Sequence, residues 1–347
     1  MRDLKIANII SALSALPAPS GFEAEVSKHI RHILSNYMDT AEIDVIGNVI
    51  GVKRCGREDA KKLLLDAHVD EVGLIVTDIA DGFLRFSPIG GVDPKLLVAA
   101  EVTLLTSPPI YGVIPAMPVH LLNEGDSDKA PKTEDLFIDI GMTQEEARAA
   151  VPLGTAAMFN TSPRAFGDNL MCGKALDNRA CLAAIFGALE LLGDDELDVD
   201  LYVMASCQEE LGTRGAKTGA YQIRPDYCVV VDVGHGSTPD CGVPETKELG
   251  GGVMISVGPN MNKKFTDRII DVAKKKAIPY QIEVEPGDSG TNARIIQVTE
   301  AGVATALVGV PLRYMHSPRE VISADDADAA AELLCGVIKM FGGGRDA

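Results

Sequence analysis

The chain has 347 residues, of which 46% are hydrophobic and 5% aromatic, and it contains no Trp. It carries 32 Lys and Arg against 50 Asp and Glu, a formal net charge of −18. This acidic balance argues against nucleic acid and anionic membranes as partners, because both are bound through basic patches. It favours the attraction of cationic groups or metal ions. The length allows about two domains.

The amino-terminal part predicts two helices and a first set of strands. Residues 4–15 and 23–37 are amphipathic, and the turn-forming segment PAPSG separates them. A strand pair is predicted at residues 41–45 and 49–53, joined by a turn at Gly-Asn. The next apolar run, LLL in LLLDAHVD, is short and predicts a buried strand.

Residues 72–159 follow a different pattern, with short strands broken by Gly and Pro turns. The polar stretch at residues 123–134, NEGDSDKAPKTE, predicts a mobile surface loop, and residues 143–150 predict a helix. We therefore expect a small β-rich domain, residues 69–165, inserted into a larger one.

Strands and helices alternate after residue 168, which predicts an α/β domain with a mainly parallel sheet covered by helices. Its helices are expected at residues 179–192, 266–276, 292–300 and 324–341. This domain would combine residues 1–68 with residues 166–347.

Four of the apolar runs end in side chains that bind metals. The carboxyl ends of parallel strands meet at one edge of a sheet, so these side chains are expected to lie together. They are His68 and Asp70 in LLLDAHVD, Glu209 and Glu210 in VMASCQEE, Asp232 in YCVVVDVG, and His316 in TALVGVPLRYMH.

The adjacent pair Glu209 and Glu210 has two interpretations. Two carboxylates at the end of a buried strand are costly to desolvate without a positive partner, which favours a metal site. The alternative is a solvated acidic turn. Asp177, in GKALDNRA before a predicted helix, is either an N-cap or a carboxylate that bridges two metals.

A mixed set of His and carboxylate ligands suits Zn²⁺ or Co²⁺, with Mn²⁺ also possible. Two metals need one shared carboxylate and further ligands for each. The candidate ligands that meet this requirement are His68, Asp177, Glu210, Asp232 and His316. Glu209 is then free to act as general base for an activated water. Asp70 can accept the second ring N–H of His68 or of a neighbouring ligand.

The remaining histidines favour structural interpretations. His29 and His32 are expected on a helix surface, and His120 in a packed or hydrogen-bonded position. His235, three residues after Asp232, is expected in a loop, with a position within reach of the site as the alternative. The seven cysteines form no CxxC pair, which is typical of reduced thiols in a cytoplasmic protein. The chain start lacks a signal-peptide pattern, and no apolar run is long enough for a membrane span.

The ordered segments DAHVDEVG, KALDNRA, CQEELGTRGA, VVVDVG and PLRYMHSP resemble the dinuclear metallopeptidases of the tetrahedral and glutamyl aminopeptidase family. GFLRFSPIGGVDP and LFIDIGMTQEEA extend the resemblance through the inserted part. The resemblance implies an α/β catalytic domain with an inserted β-barrel-like domain that serves in oligomer contacts. It also implies two bound metals, peptide substrates and self-association as dimers or dodecamers.

By this resemblance, His68 and Asp232 would bind one metal, Glu210 and His316 the other, and Asp177 both. Glu209 would be the base and Asp70 would orient His68. One departure is Asn292, where the family often has Asp. If that acid recognises a substrate ammonium group in the family, the specificity of this chain would differ.

Two other functions remain open at this stage. One is a metal-dependent deacylase of small N-acyl substrates, and the other is a non-catalytic metal-binding assembly protein. Relatives have also been named endoglucanases, but a glycosidase needs two free carboxylates at the bond that is broken. The preferred substrate side chain and the physiological metal are not determined by the sequence.

Overall fold

The computed structural model describes residues 6–121, 130–241 and 246–341. In chain order the strands are β1 (Thr40–Ile43), β2 (Val49–Lys53), β3 (Lys62–His68), β4 (Gly73–Ala80), β5 (Phe83–Ile89), β6 (Glu101–Leu104), β7 (Ile110–Val113), β8 (Ala156–Phe159), β9 (Arg164–Phe166), β10 (Leu170–Gly173), β11 (Asp200–Ser206), β12 (Tyr227–His235), β13 (Val253–Val257), β14 (Tyr280–Val284), β15 (Ala304–Arg313) and β16 (Glu320–Ser323). The α-helices are α1 (Ile6–Ser14), α2 (Ala24–Leu34), α3 (Gln144–Ala150), α4 (Leu176–Leu192), α5 (Arg214–Ile223), α6 (Lys263–Lys276), α7 (Ala293–Ile296) and α8 (Ala324–Lys339).

The larger sheet is mixed, so the prediction of a mainly parallel sheet is wrong. Its main path runs β1-β2-β11-β3-β12-β15-β16-β10-β9, and β13 joins β15 to β14. The central strands β11, β3, β12 and β15 are parallel neighbours, but most of the outer pairings are antiparallel. Parallel neighbours need long crossovers, whereas β1–β2 and β15–β16 are joined by short connections that reverse the chain.

Helices cover both faces of this sheet, as the alternating pattern predicts. One face packs against α1, α4, α6 and α8, in an apolar core that includes Leu13, Leu182, Phe265 and Leu333. The other face packs against α5 and α7 through Ala216, Ala220, Ala293 and Ile296. Nearly all of α4 is buried. The central strands are thus held rigidly, which suits them to position a site at their ends.

A second, five-stranded antiparallel sheet is formed by β5-β4-β8-β6-β7. It has its own apolar core, from Val72 to Phe159. Single bridges from Leu84 to Ile138 and from Val113 to Asp139 link its two edge strands, so the sheet wraps around this core. The strand β9 pairs with β10 of the larger sheet and crosses the expected limit at residue 165. The limits 69–165 therefore stay a prediction.

Several local predictions can be compared with the structure. The helix predicted at residues 143–150 is α3, and Thr143 and Glu146 form a capping box at its start. The helix predicted at residues 292–300 is only the short α7. The loop predicted at residues 123–134 lies mostly outside the described residues. Within the part of the chain that the structure describes, no helix is long and apolar enough to span a membrane. All seven cysteines are free thiols.

Candidate metal centre and active site

The four parallel strands at the middle of the larger sheet bring the predicted ligands to one edge. β3 ends at His68, and β11 ends at Ser206, directly opposite His68 in the ladder. Asp66 lies opposite Val230, which places Asp232 of β12 level with His68. These are neighbouring strands, so ladder hydrogen bonds fix the spacing of the side chains they carry.

Asp177 lies between the two predicted ligand histidines. Its Oδ1 is 3.0 Å from Nε2 of His68, and its Oδ2 is 3.3 Å from Nε2 of His316. Asp177 has φ −77° and ψ 103°, a conformation that an N-cap residue could adopt. Both of its carboxylate oxygens face imidazoles, however, and no backbone N–H among the described residues donates to them, which favours the bridging alternative over the N-cap. A carboxylate with one oxygen towards each imidazole has the geometry of a bridge.

Both imidazole rings are oriented by backbone carbonyl groups. Nδ1 of His68 lies 3.1 Å from the carbonyl oxygen of Asp70, and Nδ1 of His316 lies 2.9 Å from that of Gly91. A ring that donates its Nδ1–H to a carbonyl keeps the lone pair on Nε2. Each Nε2 is thereby available to a cation in the space around Asp177.

Glu209 and Glu210 converge because the strand has ended before them. Gln208 has φ 53°, in the left-handed region, and Gly212 has φ 104°. Successive residues of a strand point to opposite faces, so this turn is what allows both carboxylates to face the centre. Ligand atoms of His68, Glu209 and Glu210 all lie within 4.8 Å of one another.

The two glutamates differ in their contacts. Oε1 of Glu210 lies 3.2 Å from Nε2 of His316. The carboxylate of Glu209 has no hydrogen-bond or ion-pair partner among the residues that the structure describes. Burial raises the pKa of Glu209 to about 7. Glu210 is thus paired with a candidate metal ligand, whereas the carboxylate of Glu209 is unpaired among the described residues.

Asp70 has a different main contact from the one predicted. Its carboxylate oxygen is 3.5 Å from Nδ1 of His68, farther than its own carbonyl oxygen. Its Oδ1 accepts the backbone N–H of Glu209 at 3.0 Å, and its Oδ2 accepts that of Glu210 at 3.1 Å. The Asp70 side chain therefore holds the turn that carries both glutamates.

The charges of the centre are unbalanced without a cation. Burial opposes a charge on His316, but the carboxylates of Asp177 and Glu210 outweigh it and raise its pKa to about 11. Burial raises the pKa of Asp232 well above its ordinary value. A cluster that draws protons onto its imidazoles is one in which a divalent cation would be strongly favoured.

Among the described residues, three groups of candidate ligand atoms lie close enough together to hold a metal ion. They are His68 with Asp177 and Asp232, Asp177 with Glu210 and His316, and His68 with Glu209 and Glu210. The first two groups share Asp177, and each group contains one imidazole and two carboxylates. This donor chemistry suits Zn²⁺, Co²⁺ or Mn²⁺.

Sequence reasoning missed a buried carboxylate beside these ligands. Glu320 accepts the backbone N–H of Asp177 at 3.1 Å and that of His316 at 2.9 Å. It follows His316 by four residues in MHSPRE. The only sequence signal was an acid at the start of an apolar strand, VIS, close to a predicted ligand.

Sequence reasoning also missed a set of buried charged residues close to the end of β3. The fully buried Arg179 donates from Nε to the carbonyl of Val69 and from Nη1 to that of Leu13. Lys174 forms a buried ion pair with Glu71 at 2.8 Å. These contacts tie α4 to the segment that carries His68 and Asp70.

The centre opens into a cleft of about 460 Å³. The residues that line it include Glu209, Glu210 and His316, together with Glu283 and Arg294. A cleft of this size fits a small part of a peptide better than a folded chain.

Two predictions about residues near the cleft need correction. Asn292 is 1% exposed, and its Nδ2 donates to Asp66 and to Ser206. Residue 292 does not face the cleft, so a direct role in recognising substrate ammonium is wrong. His235 lies at the end of β12 and on the cleft wall, where a loop position was expected. His29 and His32 are exposed, as predicted, whereas the prediction of a packed or hydrogen-bonded position for His120 is wrong, because His120 is exposed.

Residues 47–333 match the family of M42 glutamyl aminopeptidases. A lysyl aminopeptidase of Pyrococcus furiosus is 36% identical over 324 residues, which cover 91% of this chain and 92% of that protein. This chain is an M42-family aminopeptidase. The family resemblance seen in its motifs is thereby confirmed.

Solved structures resemble the M42 chain over nearly its full length. A TET aminopeptidase from a marine sediment Thaumarchaeota archaeon has a TM-score of 0.91 and 29% identity, covering 96% of each chain. The TET1 peptidase of Pyrococcus horikoshii has a TM-score of 0.84 and 28% identity, covering 96% of this chain and 99% of the other. That peptidase is described as able to assemble into a tetrahedron or a large octahedral shell.

Proposed function

We propose that this M42 protein is a metal-dependent aminopeptidase that removes N-terminal residues from peptides, with two divalent cations and with Glu209 as general base. The observation that carries the proposal is the position of Asp177, whose two carboxylate oxygens face two different imidazoles at 3.0 and 3.3 Å. One carboxylate shared by two ligand groups is what a pair of neighbouring metals requires.

His68 and Asp232 would hold one cation, Glu210 and His316 the other, and Asp177 both. Zn²⁺, Co²⁺ or Mn²⁺ bound there supplies Lewis acidity and lowers the pKa of water. Glu209 lines the same cleft and has no hydrogen-bond partner for its carboxylate among the described residues, so this carboxylate can take a proton from the attacking water. As the peptide C–N bond breaks, Glu209 can return that proton to the leaving nitrogen.

The decisive experiment compares the wild type with Glu209→Gln on amino-acid p-nitroanilides and on their N-acetylated counterparts. Divalent cations are added back and the bound metal is measured in each sample. We expect the free-amine substrates to be cleaved, and Glu209→Gln to lose about 100-fold or more in kcat while it keeps its metals. Glu332→Gln, on the exposed face of α8, is the matched control.

Each alternative predicts a different result. Release of acetate from the N-acetylated substrates, without release of p-nitroaniline from the free-amine substrates, would support a deacylase. Metal binding without turnover of either class would support a non-catalytic metal protein. Near-full activity of a metal-loaded Glu209→Gln variant would show that the base is another group.

We further propose that the chain self-associates through the inserted β-rich part, residues 69–165. The assembly described for the Pyrococcus horikoshii peptidase supports this, because its structure is similar over nearly all of the chain. Exposed apolar side chains on this part, including Tyr111 and Leu153, offer contact surface.

The seven free cysteines support a cytoplasmic location, because reducing compartments keep thiols unpaired.

A further inference from the structure

Two buried carboxylates each hold a pair of functional residues by their backbone. Asp70 accepts the N–H groups of Glu209 and Glu210, one on each oxygen. Glu320 does the same for Asp177 and His316, at 3.1 and 2.9 Å. In both cases the two oxygens of one rigid carboxylate fix the spacing of two N–H groups.

Glu320 is an unusual residue to bury. It is 2% exposed and forms no ion pair with any residue in the described part of the chain. A buried carboxylate is costly unless hydrogen bonds and nearby positive charge offset its desolvation. Its two N–H bonds lead directly to Asp177 and His316, so a cation bound by these two residues would add to the positive charge that His316 and the buried Lys174 place near the Glu320 carboxylate.

The two proposed metal positions differ in what supports their ligands. His68 and Asp232 belong to β3 and β12, whose ladder hydrogen bonds fix their backbones. His316 lies outside the strands and has φ 60°, a conformation that L residues adopt rarely. Asp177 likewise departs from helical geometry at the start of α4. Glu320 supplies the contact that the sheet does not supply there.

We propose that Glu320 is a positioning residue, which fixes the distance between Asp177 and His316 and thereby sets the affinity of the metal position formed by Asp177, Glu210 and His316. This inference rests on the proposed two-metal function. Loss of Glu320 should weaken this metal position selectively, because the position formed by His68, Asp177 and Asp232 keeps two ligands that the central sheet supports.

The test is a metal titration of cation-free protein with Co²⁺, for the wild type, Glu320→Gln and Glu320→Asp. Heat of binding and the Co²⁺ visible spectrum follow the two binding steps. An amide at position 320 would set its NH₂ against one of the two backbone N–H groups. We expect Glu320→Gln to bind the first ion as the wild type does and the second about 10–100-fold more weakly. Glu320→Asp, which keeps the charge on a shorter side chain, should lie between the two.

Activity gives an independent reading of the same effect. The kcat of Glu320→Gln should be low at limiting metal and recover with excess Co²⁺, which a general folding defect would not do. Glu332→Gln on the exposed face of α8 should match the wild type throughout.

The outcomes separate this inference from the proposed function. A wild type that binds no pair of cations would overturn the proposed function. A wild type that binds two cations, together with a Glu320→Gln variant of equal affinity at both steps, would overturn the inference alone. Equal weakening of both steps, or loss of folding in both Glu320 variants, would also count against it and would assign Glu320 to general stability.

Discussion

Asp70 illustrates, at the scale of single residues, how one buried side chain serves two others. It is fully buried, and both of its oxygens accept backbone N–H groups of the turn after β11. Burial opposes its negative charge, but the interactions with His68 and these N–H groups outweigh it, so that the pKa of Asp70 is lowered. Asp70 therefore stays ionised and holds Glu209 and Glu210 together.

We expect Asp70→Asn to lower kcat by about 10–100-fold and to weaken metal binding. The amide keeps one acceptor oxygen but turns an NH₂ group against the N–H of Glu209 or Glu210. Steady-state kinetics and bound-metal measurements check this, with Asp271→Asn on the exposed face of α6 as control. Unchanged kcat and metal content would show that the turn holds its shape without Asp70.

Asn292 stands out in the sequence, where the family often has Asp, but its side chain is buried and does not line the cleft. Its amide donates to the buried Asp66 at 2.8 Å. Burial raises the pKa of Asp66 to about 6. An Asp in place of Asn292 would therefore change, in the first place, the buried polar cluster that Asn292 forms with Asp66 and Ser206.

At the scale of elements, α5 packs tightly against the turn that carries the glutamates. Asn48 accepts the backbone N–H of Cys207 and donates to the carbonyl of Gly215 in the first turn of α5. A Cβ on Gly215 would meet the side chain of Asn48 and the backbone of Cys207. Glycine is required here by the close approach of backbone to backbone.

We expect Gly215→Ala to destabilise the protein by about 1–3 kcal/mol, because backbone atoms cannot yield as a flexible side chain can. It should also lower kcat, since the displaced Cys207 precedes Glu209 by two residues. Gly287→Ala is the matched control, because a Cβ there meets no atom within 4 Å. Denaturant unfolding and steady-state kinetics check both, and equal stability of the two variants would contradict the close-packing argument.

At the scale of the whole molecule, two sheets with separate cores form the chain. The part built on the larger sheet carries the candidate metal ligands, whereas the part built on the smaller sheet carries exposed apolar side chains such as Phe83, Tyr111 and Leu153. A division of this kind leaves the second part free to serve in contacts between copies.

We expect light scattering of the purified protein to give a mass that is a multiple of 36.7 kDa, the mass of one chain. Replacing both Tyr111 and Leu153 by Glu should reduce that mass if the smaller sheet forms the contact. The paired replacement of Tyr221 and Val298, exposed apolar residues of the catalytic part, is the control. A single-chain mass for the wild type at micromolar concentration would refute the proposed self-association.

The sequence by itself determined the family, the central alternation of strands and helices, and the set of candidate ligands. These follow from local patterns, since an apolar run and the residue that ends it are neighbours in the chain. The common edge at which His68, Glu210, Asp232 and His316 meet then follows from the shared direction of parallel strands. The turn that lets Glu209 and Glu210 converge could also be anticipated, because Gly212 follows the pair closely in the sequence.

Only the tertiary structure decided how the buried acids are used. Asp70 reaches N–H groups 139 and 140 residues away, and Glu320 reaches Asp177 across 143 residues. No local pattern specifies which atoms a carboxylate will meet at that separation. The antiparallel pairing of the outer strands and the burial of Asn292 are likewise not specified by any local pattern. They depend on how distant segments pack, because hydrogen bonds in the interior are satisfied by whichever groups the fold brings within about 3 Å.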